Sequence, residues 1–284
     1  MIRAKPLTTT KYNKIMYEIF RPKSELLKKH ISEITVLKEN SSYPKEYFAF
    51  PHNVSSIVFF KDAEIKYNNQ YLEINRTQNK NWSIVLIGKY VEPLLVKYND
   101  YVKEIAINFS PTGVNYFFDE EFSSLSRLPI QILNTIQLNE FSILLFNTKE
   151  SERIIEIERF FEQRFRNKDL QLIEKIVQIV ENNKLIKFKD VSKELNISVR
   201  NLNRLFHKYL GCSPIEYKKI VRFRSAMKDF NKNDFNLTEV CLQNEYYDSP
   251  HFTREFKKLT NMTPKNYFKN LTFESKIEFP YVFK

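Results

Sequence analysis

The stretch NLNRLFHKYLGCSPIEY, residues 201–217, returns fifty residues later as HFTREFKKLTNMTPKNY, residues 251–267. Arg204 and Arg254 hold the same place in the two lines, as do Phe206 and Phe256, Lys208 and Lys258, Pro214 and Pro264, and Tyr217 and Tyr267. A chain that writes one helical unit twice must give both copies the same kind of surroundings.

Each copy has a shorter segment before it. In the first, Val191 and Leu195 are spaced to face inward from a short helix that Asp190 can cap. Asn196–Ile197 make a tight connection, Ser198 caps the next helix, and Leu202, Leu205 and Phe206 form its apolar face. Its other face carries Arg200, Asn203, Arg204 and His207 at i, i+3, i+4 and i+7, a single stripe of polar donors. In the second copy Val240 points inward from a helix that starts at Thr238 or Glu239, and Asp248 takes the capping place of Ser198. Pro250 suits a first helical turn. Phe252, Phe256 and Leu259 face the core, which leaves Ser249, His251, Thr253, Arg254 and Lys257 outside or at the edge.

A short helix, a tight turn and a second helix with a donor stripe describe a helix-turn-helix. In such a unit the second helix enters the major groove, where Arg and Asn read base edges by paired hydrogen bonds. The segment between the copies, IEYKKIVRFRSAMKDF, is long enough for a helix of roughly 20 Å. It could hold two reading helices about 34 Å apart, one turn of DNA. The competing reading is a helical bundle with accidental similarity. Phe206/Phe256 and Tyr217/Tyr267 fit either reading, but packing does not demand the matches Arg204/Arg254 and Lys208/Lys258.

Charge leans the same way. Residues 171–284 carry 21 Lys and Arg against 13 Asp and Glu, whereas residues 1–170 carry 24 against 21. The basic part suits nucleic acid or an acidic surface as partner. Three Gly in 284 residues leave no P-loop and no GxGxxG. Cys212 and Cys241 are the only cysteines and both sit in helical patterns, so a reducing compartment fits better than a disulfide framework. The N-terminal residues hold no apolar stretch of signal-peptide length, and no run approaches ~18 apolar residues. A cytoplasmic protein without a membrane partner is expected.

The first half reads differently. Residues 1–30 look like an irregular lead-in with a short helix around Lys23–His30, and Ile31–Phe109 has strand texture. SSIVFFKDAEIKYNNQYLEI suggests a hairpin with YNNQ as its turn, and NWSIVLIGKYV and YVKEIAINF read as further strands. SPTGVNYFF turns through Pro111 and Gly113 into a short helix. Beyond Ser123 the pattern is helical. Ile154, Ile157, Phe160, Phe161 and Phe165 share one side of a helix that Ser151 can cap, serving as an interface or as a cover for the core. Residues 166–169 are a polar break, and Leu170 starts another amphipathic helix. The tail FESKIEFPYVFK is apolar enough to pack.

Residues 171–272 resemble the DNA-binding domain of the AraC/XylS family of bacterial transcription regulators, most closely over NEYYDSPHFTREFKKLTNMTPKNY around the second unit. The resemblance implies two helix-turn-helix units joined by a linker helix, here about 215–229. It implies base contacts from Arg200, Asn203 and Arg204 in the first unit and from Ser249, Pro250, His251, Thr253 and Arg254 in the second. His207 and Lys257 extend the same stripes. Ser198, Lys208, Lys218, Lys219 and Lys258 are the phosphate-contact candidates. The chain departs from the family at Glu245, where Gly is usual, and at Pro250, where a small polar residue is usual. YFAFPHNVSSIVFF and IAINFSPTGVNYFF resemble, more faintly, the sensory domains of some members.

The expected architecture is therefore α+β. Residues 1–168 form a mainly-β domain with flanking helices that binds an effector or dimerises. Residues 169–272 form an all-α domain whose units run about 188–210 and 237–260, and residues 273–284 are a tail. Double-stranded DNA and RNA polymerase are the expected partners. A small-molecule effector and a homodimer are open alternatives for the first half, the second without any ligand. His30 and His52 lie too far apart in sequence for a metal site, no Cys precedes Cys212, and no catalytic constellation is present, so neither enzyme activity, metal nor cofactor is expected. His52 reads as a turn or pocket-rim residue, Trp82 as core, and Asp119, Glu120 and Glu121 as a solvated helix end.

Overall fold

Ser55–Lys61 carries the unbroken apolar run Ile57–Phe60 and is buried from Ser55 to Phe60 without alternation, the signature of a strand buried on both faces. Ala63–Asn68, just after it, alternates buried with exposed residues, as a strand with one wet face must. These two textures set the layers of the first half in the computed structural model, which describes residues 8–12, 15–37, 46–69, 71–79, 81–230, 237–270 and 282–283.

The strands are β1 (Thr8–Tyr12), β2 (Ile15–Phe20), β3 (Ile31–Leu37), β4 (Glu46–Ala49), β5 (Ser55–Lys61) and β6 (Ala63–Asn68), then β7 (Tyr71–Arg76), β8 (Trp82–Ile87), β9 (Leu94–Tyr98), β10 (Lys103–Phe109), β11 (Ile130–Leu133) and β12 (Val282–Phe283). One sheet runs β1-β2-β3-β10-β5-β8-β11 and the other β12-β4-β9-β7-β6. Val58, Phe60, Val85 and Ala106 of the larger sheet pack on Ile65, Leu72, Ile74 and Val96 of the smaller. The next residue along each strand, such as Ile57, Phe59, Ile84 or Ile107, points the other way, towards helices α2 (Ile136–Asn147) and α3 (Glu150–Arg164). Phe141 and Phe161 meet that face at ring distances of 5.5 Å from Phe59 and 5.6 Å from Phe109. α3 thus covers the core.

Several details differ from the sequence reading. The lead-in holds strands β1 and β2, and only Leu27–Lys29 of the expected helix is helical, as a single 3-10 turn. β11 interrupts the region read as wholly helical, between α1 (Phe122–Leu125) and α2. α3 is entered from Lys149, so Ser151 already lies inside it. The hairpin around YNNQ is present, with Asn68 opposite Tyr71. Gly113 sits where only a glycine fits, because a Cβ there would stand 2.0 Å from the backbone oxygen of His30. Of the tail, Val282–Phe283 pairs with Phe48 and Tyr47 of β4, and residues 271–281 lie outside the described residues.

The helical half comprises α4 (Gln171–Asn182), α5 (Phe188–Glu194), α6 (Val199–Leu210), α7 (Pro214–Phe230), α8 (Leu237–Gln243), α9 (Ser249–Thr260) and α10 (Pro264–Asn270). The apolar core does not stop at the polar break of residues 166–169. Leu170, Ile173, Val177, Phe206 and Leu210 continue the cluster that contains Phe109 and Phe161. α8, α9 and α10 build a separate core from Val240, Phe252, Phe256, Leu259 and Tyr267, to which the first half contributes Phe50.

Candidate nucleic-acid interface

The repeat in sequence is a repeat of backbone devices. α5 ends with Asn196 at φ 52°, and the Ile197 N–H donates to Ser192 O at 2.9 Å. α8 ends with Glu245 at φ 61°, and the Tyr246 N–H donates to Cys241 O at 3.0 Å. Both are left-handed stops of the Schellman kind. Ser198 Oγ then accepts from the Asn201 N–H at 3.1 Å, and Asp248 Oδ1 from the His251 N–H at 2.6 Å, which starts α6 and α9 as the capping rule requires. Asp190 is no cap: α5 is entered from Lys187, and Asp190 lies in its first turn.

The parallel continues past the second helices. Gly211 at φ 70° ends α6 and Asn261 at φ 58° ends α9. Ser213 Oγ accepts from the Glu216 N–H at 3.2 Å while Glu216 Oε2 accepts from the Ser213 N–H at 2.7 Å, a reciprocal capping box ahead of Pro214. Thr263 Oγ1 does the first of these for Asn266 at 3.3 Å, ahead of Pro264. Behind each α6-type helix the same two rings meet: Phe206 and Tyr217 at 5.7 Å, Phe256 and Tyr267 at 5.3 Å. The joining helix α7 has 17 residues, about 25 Å.

The side chains of the two stripes fall into groups. Arg200, Arg204 and His207 on α6 are exposed, as are Pro250, Arg254 and Lys257 on α9. Asn203 is half-buried and donates to Val199 O at 2.8 Å. Ser249, His251 and Thr253 are half-buried at the edge of α9, and the His251 ring lies 5.8 Å from that of Tyr246. Among the phosphate candidates, Ser198, Lys219 and Lys258 are exposed. Lys218 is turned inward: its ammonium donates to Ile186 O at 3.0 Å beside the Phe188 ring, and burial lowers its pKa. Lys208 is paired at 2.8 Å with Glu121, from the cluster read as a solvated helix end, and that hydrogen bond raises its pKa.

α6 carries no acidic residue and α9 only Glu255. Glu255 is buried, and its carboxylate accepts from Arg222 of α7 at 2.6 and 3.2 Å, so α9 presents no free negative charge. The Arg222 guanidinium also lies 4.2 Å above the Tyr246 ring. The first copy has Leu205 in place of Glu255, and sequence periodicity alone offered no sign of this pair.

Two further residues escaped the sequence reading. Asn201 Oδ1 accepts from Nε and Nη2 of Arg204 at 3.2 and 2.9 Å and fixes the orientation of that guanidinium. Tyr247 is 91% exposed immediately before the α9 cap. The turn of the second unit has two residues between its left-handed residue and its cap, against one in the first, and Tyr247 is the extra residue. A copy-to-copy alignment that allowed one insertion would have found it.

Residues 191–270 match the family model described as a helix-turn-helix domain. The chain is similar to the probable transcription factor PqrA of Proteus vulgaris, 29% identical over 93 residues, which are 33% of this chain and 76% of that protein. It is 28% identical over 99 residues to the regulator GbdR of Pseudomonas aeruginosa, covering 33% of this chain and 26% of that one. With the lactose operon transcription activator of Staphylococcus xylosus it shares 30% identity over 93 residues, 33% of either chain. The match thus spans about a quarter of GbdR and a third of the lactose activator. The fold is similar to that of ToxT from Vibrio cholerae, with a TM-score of 0.50 at 15% identity, covering 91% of this chain and 99% of that one.

Proposed function

We propose that this chain, whose residues 191–270 are an AraC-type helix-turn-helix domain, is a sequence-specific DNA-binding transcription regulator that lays α6 and α9 into successive major grooves. The observation that carries the proposal is the duplicated set of stops, caps and ring pairs around one joining helix. Arg200, Arg204 and Arg254 supply base-edge contacts, with Asn203, His207, Ser249, Pro250, His251 and Thr253 beside them. Lys219, Lys257, Lys258 and the cap at Ser198 meet phosphate. Lys208 joins them only when its pairing with Glu121 opens. Tyr247 adds an apolar contact at the entrance of the second helix. The protein acts in the cytoplasm at promoters, with RNA polymerase as the further partner.

The test is selection of bound duplexes from random DNA with the full chain. Enriched sequences should hold two conserved elements about 10 base pairs apart, one turn of the duplex. A single enriched element, or none, contradicts the reading.

The first half modulates this binding. Phe50 belongs to the core of the second unit, and Asn53 donates to Glu181 of α4 at 2.9 Å, the same carboxylate oxygen that accepts from Tyr217 at 2.8 Å. The segment between β4 and β5 therefore enters the core of the second unit and reaches the first through Tyr217, whose ring lies 5.7 Å from Phe206 of α6, and it also lines a cavity of about 110 Å³ between the sheets with Phe50, His52 and Val54. A second reading, dimerisation without ligand, draws on Ile136 and Ile143, which are 77% and 44% exposed at i and i+7 on α2. An Ile136→Lys variant should dissociate such a dimer in sedimentation.

A further inference from the structure

Lys89 follows β8 and is only 7% exposed. Its ammonium donates to Ser55 Oγ at 2.8 Å and lies 5.8 Å from the Phe122 ring. An ammonium has three donors, and a charge taken out of water needs a counter-charge or several polar partners. Among the described residues no carboxylate stands at ion-pair distance from it. The nearby groups that could serve are otherwise engaged. Glu181 on α4 accepts from Asn53 and Tyr217, and Glu216 on α7 accepts from the Ser213 backbone. Glu92 is exposed at the rim. Cys212, at the α6–α7 turn, is a neutral thiol whose pKa burial pushes up to about 12.

The same Lys89 lines a cleft of about 470 Å³ between the β-half and the first helix-turn-helix unit, together with Tyr90, Pro93, Leu128, Gly211 and Cys212. A buried ammonium with one hydroxyl partner facing such a space is an incomplete site. We infer that this cleft binds a small organic anion, whose carboxylate or phosphate oxygens pair with Lys89 and whose apolar body lies against Pro93 and Leu128. Burial lowers the Lys89 pKa to about 8, and the nearby Cys212 and Glu181 offset that only in part.

The place of the site gives the anion a route to α6. Gly211, the C-cap of α6, lines the cleft, and a Cβ on it would stand 2.7 Å from the Phe122 ring that underlies Lys89. Glu121, adjacent to Phe122, holds Lys208 of α6. An occupant of the cleft therefore bears on two of the contacts that fasten α6 to the β-half, another being the Asn115 amide on Tyr209 O at 2.9 Å. This inference rests on the effector reading above only for its effect on DNA; binding is measured without DNA.

The test uses the full chain and titration calorimetry with benzoate, phenyl phosphate and neutral benzamide. Expected is saturable one-site binding of at least one of the two anions and none of benzamide. Benzoate alone would point to a carboxylate ligand, phenyl phosphate alone to a phosphate. A Lys89→Met variant should bind the anion about tenfold more weakly or worse, the loss of a charge-assisted contact. Affinity for the wild type should also fall as pH rises through about 8, where the ammonium loses its proton. Should the variant not fold, that pH series decides. Equal binding to wild type and variant, affinity flat through that pH, or no saturable binding of either anion overturns the site. If anions bind but leave DNA affinity unchanged, the site stands and its coupling to α6 does not.

Discussion

Arg224, in the middle of α7, donates from Nε to Pro51 O at 2.6 Å and from Nη2 to Phe50 O at 2.7 Å. One guanidinium of the joining helix thus closes two backbone acceptors of the β-half, while the Phe50 ring packs 5.4 Å from Tyr267 of the second unit. Arg224→Met takes the guanidinium donor from Pro51 O in a buried place, whereas Phe50 O keeps the Tyr90 hydroxyl at 2.9 Å. At about 1–3 kcal/mol for one unsatisfied buried group, denaturant unfolding should show a loss of roughly 1–3 kcal/mol. Arg224→Lys cannot reproduce the fork and should recover only part. A change within ~0.5 kcal/mol for Arg224→Met would mean that this junction contributes nothing to stability.

Arg222 and Glu255 make a different test. Both are buried, and each is the other's charge partner. Glu255→Leu, which copies the residue of the first unit, strands the guanidinium and should cost about 3–5 kcal/mol. The double variant Arg222→Met/Glu255→Leu should recover most of that loss, because a buried pair can be replaced by apolar groups at little cost. Thermal unfolding of the three proteins measures it. A double variant as unstable as Glu255→Leu alone would show that Arg222 acts through its stacking on Tyr246 instead.

Glu245 and Asn196 occupy the same left-handed place in the two units. A residue with a Cβ is disfavoured there by roughly 1–2 kcal/mol, and Asn is tolerated better than Glu. Glu245→Gly should therefore raise stability by about 0.5–1 kcal/mol net of the chain entropy that Gly adds, while Asn196→Gly should be near neutral. The comparison is of unfolding midpoints, and equal effects at both places would argue that φ is not the cause.

Lys89 makes stability depend on pH in a direction that can be stated. Its pKa falls from 10.5 to about 8 on folding, chiefly through burial, with Cys212 and Glu181 as the nearby groups. Below about 8 the ammonium is charged in both states and its full penalty, roughly 3 kcal/mol, is present. Between about 8 and 10.5 the unfolded chain binds more protons than the folded one, so stability rises with pH until the penalty is gone. Cys212 acts in the opposite sense, since burial raises its pKa from 9.0 to about 12 and the unfolded thiol ionises within that window, but this contribution is common to wild type and variant and cancels in their comparison. Lys89→Met should be more stable than the wild type at neutral pH, and the gap should close as pH rises. A gap constant with pH would mean that Lys89 is not buried as a charge.

Much of this was legible in the sequence because the signals are local. Ser198 and Asp248 announce helix starts by their side chains, and Leu202, Phe206, Phe252 and Phe256 announce a face by their period. Strands β5, β8 and β10 announce themselves by β-branched and aromatic runs. What stayed hidden depends on partners far along the chain. Lys208 looks like any exposed lysine until Glu121, 87 positions away, is brought beside it. Lys218 reads as a phosphate contact until α5 folds under it, and nothing in the segment around Arg224 points to Pro51, 173 positions away. β1 and β2, in the lead-in, and β11, inside a helical-looking region, are short and set by pairing with their neighbours instead of by their own texture.

If α6 and α9 both read bases, DNA affinity measured against salt will show it for Arg200→Ala, Arg254→Ala and a Lys219→Ala/Lys258→Ala double variant, on a selected site and on a scrambled one. Base contacts specify sequence and phosphate contacts position the protein. Each Arg→Ala change should cost ~1–3 kcal/mol on the selected site and much less on the scrambled one. The double lysine variant should weaken both DNAs by similar factors and lower the salt slope by up to ~2. If Arg200→Ala or Arg254→Ala weakens the two DNAs equally, that helix is not reading sequence, and the paired-reader account of the repeat is contradicted.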